Sequence, residues 1–73
     1  MKGIKITKDG IVFNEVLPFT NGFIGDRKRI PCLKAHEYMA IEATIKDEYN
    51  VLLYAGHIYE WEVIDHETKN GNR

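Results

Sequence analysis

The sequence predicts a small α+β domain in which one helix covers one face of a small antiparallel sheet of two hairpins, in the order ββαββ. Two pairs of strand-like segments, each joined by a short turn that contains glycine, and one helix-like segment between the pairs predict this class. The chain has 73 residues, of which 44% are hydrophobic and 29% are charged. That composition is typical of a folded domain. We expect one domain over 1–66 and a flexible polar tail over 67–73.

The first hairpin is predicted close to the N-terminus. Segments 3–7 and 11–16 flank Asp9-Gly10, and this dipeptide favours a two-residue type I′ turn because both central residues need a positive φ. Such a turn places Ile6 opposite Phe13. The side chains expected on the core face are those of Ile4, Ile6, Ile11 and Phe13.

The helix is predicted over 34–49, a segment without Gly or Pro that is rich in good helix formers. Its apolar residues recur at steps of three and four, so one buried stripe is expected, with Glu37 among the residues on the opposite side. The stripe consists of Tyr38, Ile41, Ile45 and Tyr49. An alternation of apolar residues over 39–45 is also typical of a strand. A strand there would make the domain an all-β small barrel, which is the alternative fold.

The second hairpin is predicted from segments 51–55 and 58–64, with Gly56-His57 as the connecting loop. This loop places Tyr54 opposite Tyr59 and Leu52 opposite Trp61. The residues expected on the core side are Leu52, Tyr54, Tyr59, Trp61 and Val63.

The other side of this hairpin is the candidate binding surface. It combines Val51, Leu53, Ala55, Ile58 and Ile64 with the acids Glu60 and Glu62. In a two-layer domain the outward face of the sheet should be mostly polar, and an open apolar face usually binds something. The cover could be the first hairpin, a second copy of the chain or another protein. The predicted protein-binding residues are Val51, Leu53, Ile58, Glu60, Glu62 and Ile64.

Charge is divided unevenly along the chain. Residues 1–34 have seven Lys or Arg and three acids, whereas residues 35–73 have three Lys or Arg and eight acids. The basic half could contact phosphate, the acidic half could meet a basic partner, or the two halves could attract each other. The candidate nucleic-acid-binding residues are Arg27, Lys28, Arg29 and Lys34, which follow the aromatic and glycine residues of 19–25. The structural alternative is a turn that leads into a strand at 29–30.

Catalysis and metal binding have little support in the sequence. The chain lacks serine, and its single cysteine, Cys32, is expected to be a small buried apolar residue rather than a nucleophile. The spacing of Cys32, His36, His57 and His66 matches no zinc pattern. We therefore expect no catalytic residue, no metal and no cofactor.

These features favour a non-enzymatic protein-interaction module whose partner is another protein or a second copy of itself. Its more specific form is a phage-type or accessory regulator that binds and occludes a larger protein. A nucleic-acid-binding domain that uses the basic loop 27–34 is the alternative. No apolar run approaches the roughly 20 residues that span a bilayer, so we expect no membrane contact. The single cysteine and the lack of a signal-like N-terminal segment predict a cytoplasmic location.

Overall fold

The computed structural model describes residues 2–65 and confirms the predicted α+β class. The strands are β1 Lys2–Lys8, β2 Ile11–Thr20, β3 Phe23–Ile24, β4 Val51–Tyr54 and β5 His57–Asp65, and the helix is α1 Ala35–Lys46. The five strands form one curled antiparallel sheet in the order β3-β2-β1-β5-β4. Helix α1 approaches both β3 and β4, which are the two edge strands, so the sheet curls around the helix.

Three two-residue turns connect neighbouring strands of this sheet. Asp9-Gly10, Asn21-Gly22 and Ala55-Gly56 all have positive φ at both positions, as a type I′ turn requires. The turn at Asp9-Gly10 was predicted from the sequence. The Asn21-Gly22 turn was not, because the predicted strand ended at 16, whereas β2 extends to Thr20 and pairs with β3.

The first hairpin changes register part of the way along its length. Next to the turn, Lys8 lies opposite Ile11 and Thr7 opposite Val12, as a two-residue turn requires. The register then shifts by two residues, so that Lys5 lies opposite Val16. Ile6 and Phe13 fall within this irregularity, and the register does not pair them as predicted. Ile11 was also wrongly placed in the core, because it lies beside the turn, outside the core cluster, and is 66% exposed.

The second hairpin turns one residue earlier than predicted. Because Ala55-Gly56 forms the turn, Tyr54 lies opposite His57 and Leu52 lies opposite Tyr59. This register differs by two residues from the predicted one, so the side chains within β4 and β5 keep their predicted faces. Ala55, which was predicted on the outward face, is instead a turn residue.

The core lies between α1 and the concave face of the sheet. The strands contribute six buried side chains to it: Ile4, Ile6, Leu17, Ile24, Tyr59 and Trp61. Helix α1 contributes Tyr38 and Ile41, and Ile45 packs beside them. Val63 was predicted on the core side but is 43% exposed, since it lies beyond the core cluster near the end of β5.

The helix is shorter than predicted; Tyr38, Ile41 and Ile45 of the predicted stripe pack in the core, and two glutamates are buried beside them. It ends at Lys46 because Glu48 adopts a positive φ and reverses the chain, and this leaves Tyr49 outside the helix and 63% exposed. Glu37, predicted opposite the buried stripe, is buried together with Glu42.

The segment before the helix is a 3-10 turn at Arg27–Arg29, not the predicted strand at 29–30. Ile30 and Leu33 follow it and are buried, which anchors the segment to the core. None of the helices within 2–65 has the length and apolar character needed to cross a membrane. The predicted tail, 67–73, lies outside the described residues.

Candidate functional site

The candidate site is the side of the sheet that faces away from α1, which we call the outer face. The register places on it all six residues of the predicted protein-binding set: Val51, Leu53, Ile58, Glu60, Glu62 and Ile64. Leu53 is 75% exposed, Ile58 49% and Val51 44%, whereas Ile64 is half-buried. We call the three exposed apolar residues Val51, Leu53 and Ile58 the apolar patch.

The apolar patch occupies the β4–β5 end of the outer face. Leu53 lies directly opposite Ile58, and Val51 lies opposite Glu60. Directly opposed side chains on one face of an antiparallel pair lie about 5 Å apart, and diagonal neighbours such as Val51 and Ile58 lie about 7 Å apart. Val51 therefore extends the pair formed by Leu53 and Ile58. Its exposure shows that no segment of 2–65 lies over it.

The first hairpin does not cover this face. Strand β1 pairs with β5 from Lys2–Asp65 to Lys8–Tyr59, so the first hairpin extends the same sheet sideways. One of the three covers considered from the sequence is thereby excluded within 2–65. A second copy and another protein remain.

Two acids border the apolar patch on the outer face. Glu60 and Glu62 are exposed, and neither forms an ion pair with another residue in 2–65. A shallow groove of about 300 Å³ runs beside them. It is lined by Lys5, Thr7, Val12, Glu60, Trp61 and Glu62. The outer face therefore presents apolar side chains next to two carboxylates that form no ion pair within 2–65, with Lys5 opposite Glu62.

The tips of the two long hairpins are fastened to each other. The Ile58 N–H donates to Asp9 Oδ1 at 2.9 Å, and the Asp9 N–H donates to the Ile58 carbonyl at 2.7 Å. His57 Nδ1 lies 2.6 Å from Asp9 Oδ2. The hydrogen bond from the Ile58 N–H and the contact with His57 lower the pKa of Asp9. These bonds fix the position of the Ile58 end of the apolar patch.

Glu37 of α1 is a buried carboxylate that faces the concave side of the sheet and has three hydrogen-bond donors around it. Glu37 accepts hydrogen bonds from Lys8 Nζ at 2.8 Å, from the Lys34 N–H at 2.6 Å and from the Tyr59 hydroxyl. Burial opposes the ionisation of Glu37, but these donors outweigh it and lower its pKa to about 2. Burial and the neighbouring Glu37 raise the pKa of Tyr59. Lys8 therefore neutralises a buried carboxylate and stabilises the fold.

A second buried carboxylate fastens the 3-10 turn and β3 to the helix. Glu42 accepts from the Ile24 N–H at 2.8 Å and from Arg27 Nη2 at 2.6 Å. Arg27 also donates from Nε to the Ile24 carbonyl at 3.1 Å and lies 5.2 Å from the centre of the Tyr38 ring. Arg27–Glu42 and Lys8–Glu37 both join the basic half of the chain to the acidic half. The uneven charge is in part an attraction within the fold.

Two of the four cations in the predicted basic site already have carboxylate partners. Arg27 is held by Glu42, and Arg29 Nη2 lies 3.0 Å from Asp26 Oδ2. Lys28 and Lys34 are exposed and form no ion pair with another residue in 2–65. A groove of about 430 Å³ lies beside these two lysines. It is lined by Arg27, Lys28, Pro31, Leu33, Lys34, Ala35 and Tyr38.

The residues considered for metal binding and catalysis are dispersed. Cys32 is exposed, so the prediction of a buried apolar cysteine was wrong, since Cys32 lies in the loop before α1 rather than in the core. His36 Nδ1 lies 2.9 Å from the Tyr54 hydroxyl, and His57 contacts Asp9. Over 2–65 no three His, Cys, Asp or Glu side chains are grouped so that they could hold a metal ion. His66 lies outside the described residues.

Comparison of the chain with protein families, curated proteins and solved structures found no match in any of the three.

Proposed function

We propose that this protein is a non-enzymatic interaction module that binds another protein through the outer face of its sheet. The observation that carries the proposal is the apolar patch, in which Leu53 is 75% exposed on a sheet face that no part of 2–65 covers. Small soluble proteins seldom leave such a group of apolar side chains open unless it forms an interface.

The chemistry of the outer face supports a partner with a basic rim and an apolar centre. Glu60 and Glu62 form no ion pair within 2–65, although Lys5 lies opposite Glu62. A partner that carries Lys or Arg around an apolar centre would complement the patch and Glu60, which lies opposite Val51. Burial of Val51, Leu53 and Ile58 would provide the affinity, and the acids would select the partner. A cytoplasmic phage-type or accessory regulator that occludes a larger protein is the specific form of this proposal.

The proposal can be tested with two variants that place the same charge on different sides of the molecule. Ile58→Lys alters the apolar patch, and Met39→Lys alters an exposed apolar residue of α1, which is 61% exposed. A protein captured from a lysate of the native host is identified, purified and titrated against both variants by calorimetry. We expect Ile58→Lys to weaken binding at least tenfold, since a charge would be buried in the interface, and Met39→Lys to bind as the wild type does. Equal binding by a folded Ile58→Lys variant would refute the proposal.

Nucleic-acid binding is the second candidate, and the groove beside Lys28 and Lys34 favours it. It is the weaker candidate because the two arginines of the basic loop already have carboxylate partners. If it holds, the unmodified protein binds single-stranded oligonucleotides at low salt in fluorescence anisotropy, and Lys28→Ala with Lys34→Ala flattens the salt dependence by about one unit per lost phosphate contact. No binding by the unmodified protein at low salt would eliminate this candidate.

A further inference from the structure

Strand β4 is an edge of the sheet, and its free backbone groups can be identified. Both backbone groups of Ile58 bond to Asp9 and so face β1 rather than β4. In an antiparallel pair, opposed residues share one bonding state, so Leu53, opposite Ile58, directs its N–H and C=O away from β5. Val51, two residues earlier, has the same orientation. The free edge therefore offers two donors and two acceptors.

This edge lacks the features by which proteins prevent one edge from pairing with another. Such edges usually contain Lys, Pro, a bulge or an inward charge. Segment 49–56, which comprises β4 and its flanking residues, contains no charged residue and no proline. The pairing of β4 with β5 is regular from Val51 to Tyr54, without a shift of register.

We propose that two copies of this chain associate by antiparallel pairing of β4 with β4 about a twofold axis at Leu52. Val51 of each copy then lies opposite Leu53 of the other, and this register bonds all four free backbone groups of each strand. Opposed side chains share a face, so the two apolar patches join into one strip on the outer face of a ten-stranded sheet.

The charges of the outer face do not oppose this pairing. Glu60 of one copy and Glu60 of the other are separated by three strand spacings, roughly 14 Å, and the screening length is about 8 Å at physiological ionic strength. Four hydrogen bonds and a short edge give an interface smaller than those of stable dimers. Association is therefore weak and depends on concentration. The inference does not rest on the proposed function, because backbone groups carry it.

Proline scanning of the edge tests the pairing. Leu53→Pro removes one outward donor without removing a bond to β5, and an edge strand tolerates proline at such a position. Leu53→Ala keeps the donor, and Ala35→Pro is the matched control at the first position of α1, where proline is accepted. In sedimentation equilibrium from micromolar to millimolar protein, we expect dimerisation by the wild type and Ala35→Pro, weaker dimerisation by Leu53→Ala and none by Leu53→Pro. A monomeric wild type, or a dimer that persists in Leu53→Pro, would overturn the proposal.

A second measurement needs no variant and covers the case in which Leu53→Pro does not fold. Amide hydrogen exchange at Val51 and Leu53 should slow as the protein concentration rises, since these N–H groups become bonded, while exposed amides away from β4 keep their rates. Unchanged exchange at both residues in a dimeric sample would refute edge pairing. Ile58→Lys separates this inference from the proposed function, because it leaves the edge donors in place. It should still dimerise even where it no longer binds the partner protein.

Discussion

The two faces of the sheet differ in which side chains are buried and which are exposed. On the concave face, Glu37 and Glu42 are buried, and each carboxylate accepts hydrogen bonds from a cation and from a backbone N–H. On the outer face, Leu53 and Ile58 are exposed beside acids that form no ion pair within 2–65. The buried carboxylates therefore have hydrogen-bond donors, whereas the exposed apolar side chains of the outer face are not covered by any part of 2–65.

This difference separates the residues that maintain the fold from those that are available to a partner. Removing a buried carboxylate leaves its donors without an acceptor, so the concave face should be sensitive to substitution. The outer face contributes little to the core and should tolerate substitution. The following predictions test this division, from the largest expected effect to the smallest.

Truncation of the core side of the helix should have the largest effect among substitutions that leave the protein folded. Ile41 is fully buried against the sheet, and Ile41→Ala should lower the free energy of unfolding by about 3 kcal/mol, through lost burial and the cavity that remains. Urea denaturation followed by circular dichroism measures the change. A loss below about 1 kcal/mol would show that α1 is loosely packed and that the concave face is not the core.

Loss of the buried carboxylate should be nearly as costly. Glu37→Ala leaves the buried Tyr59 hydroxyl without its acceptor and Lys8 without its counter-ion, and we expect a loss of about 2 kcal/mol. The matched control is Glu62→Ala on the outer face, which should change stability by less than about 0.5 kcal/mol. Equal effects of the two substitutions in urea denaturation would contradict the division between the faces.

The same carboxylate predicts how stability depends on pH. The pKa of Glu37 is lowered in the folded state from an ordinary value of 4.5 to about 2. Its contribution to stability is therefore complete above about pH 4.5 and is lost as the pH falls towards 2. Glu37→Gln should flatten the decline of the unfolding free energy in this window, and Asp9, whose pKa is also lowered, should maintain a part of it. A slope identical to that of the wild type would show that Glu37 is not held as a carboxylate.

The contrast between the faces was only partly visible in the sequence. Period-two and helical patterns predicted the strands of both long hairpins and the helix, and the face of each residue in the second hairpin survived a two-residue error in register. The error arose because Ala55, a non-glycine residue, adopts a positive φ in the turn. The third hairpin had a recognisable signal in Asn21-Gly22, a strong hairpin dipeptide.

The buried carboxylates had no such signal. Glu37 and Glu42 are buried because their donors come from β1, β3, β5 and the 3-10 turn, which are distant in sequence. A helical pattern places a glutamate on a face but does not show which distant donors meet it. The helix start is also concealed, because Lys34 precedes α1 where Ser, Thr, Asp or Asn would mark a cap. Contacts between residues distant in sequence therefore determine which polar side chains are buried between α1 and the sheet.

The smallest effect is expected on the outer face, at the most exposed residue of the apolar patch. Leu53→Lys places a charge on a side chain that is 75% exposed and removes little burial, so the free energy of unfolding should change by less than about 0.5 kcal/mol. Ile6→Lys is the comparison on the concave face, where Ile6 is fully buried and a lysine should prevent stable folding. Circular dichroism and urea denaturation of the monomer at low concentration measure both. If Leu53→Lys unfolds the monomer, Leu53 belongs to the core and the apolar patch is not a binding surface. If it folds normally, any loss of association that it causes must arise at the interface, because the fold has not changed.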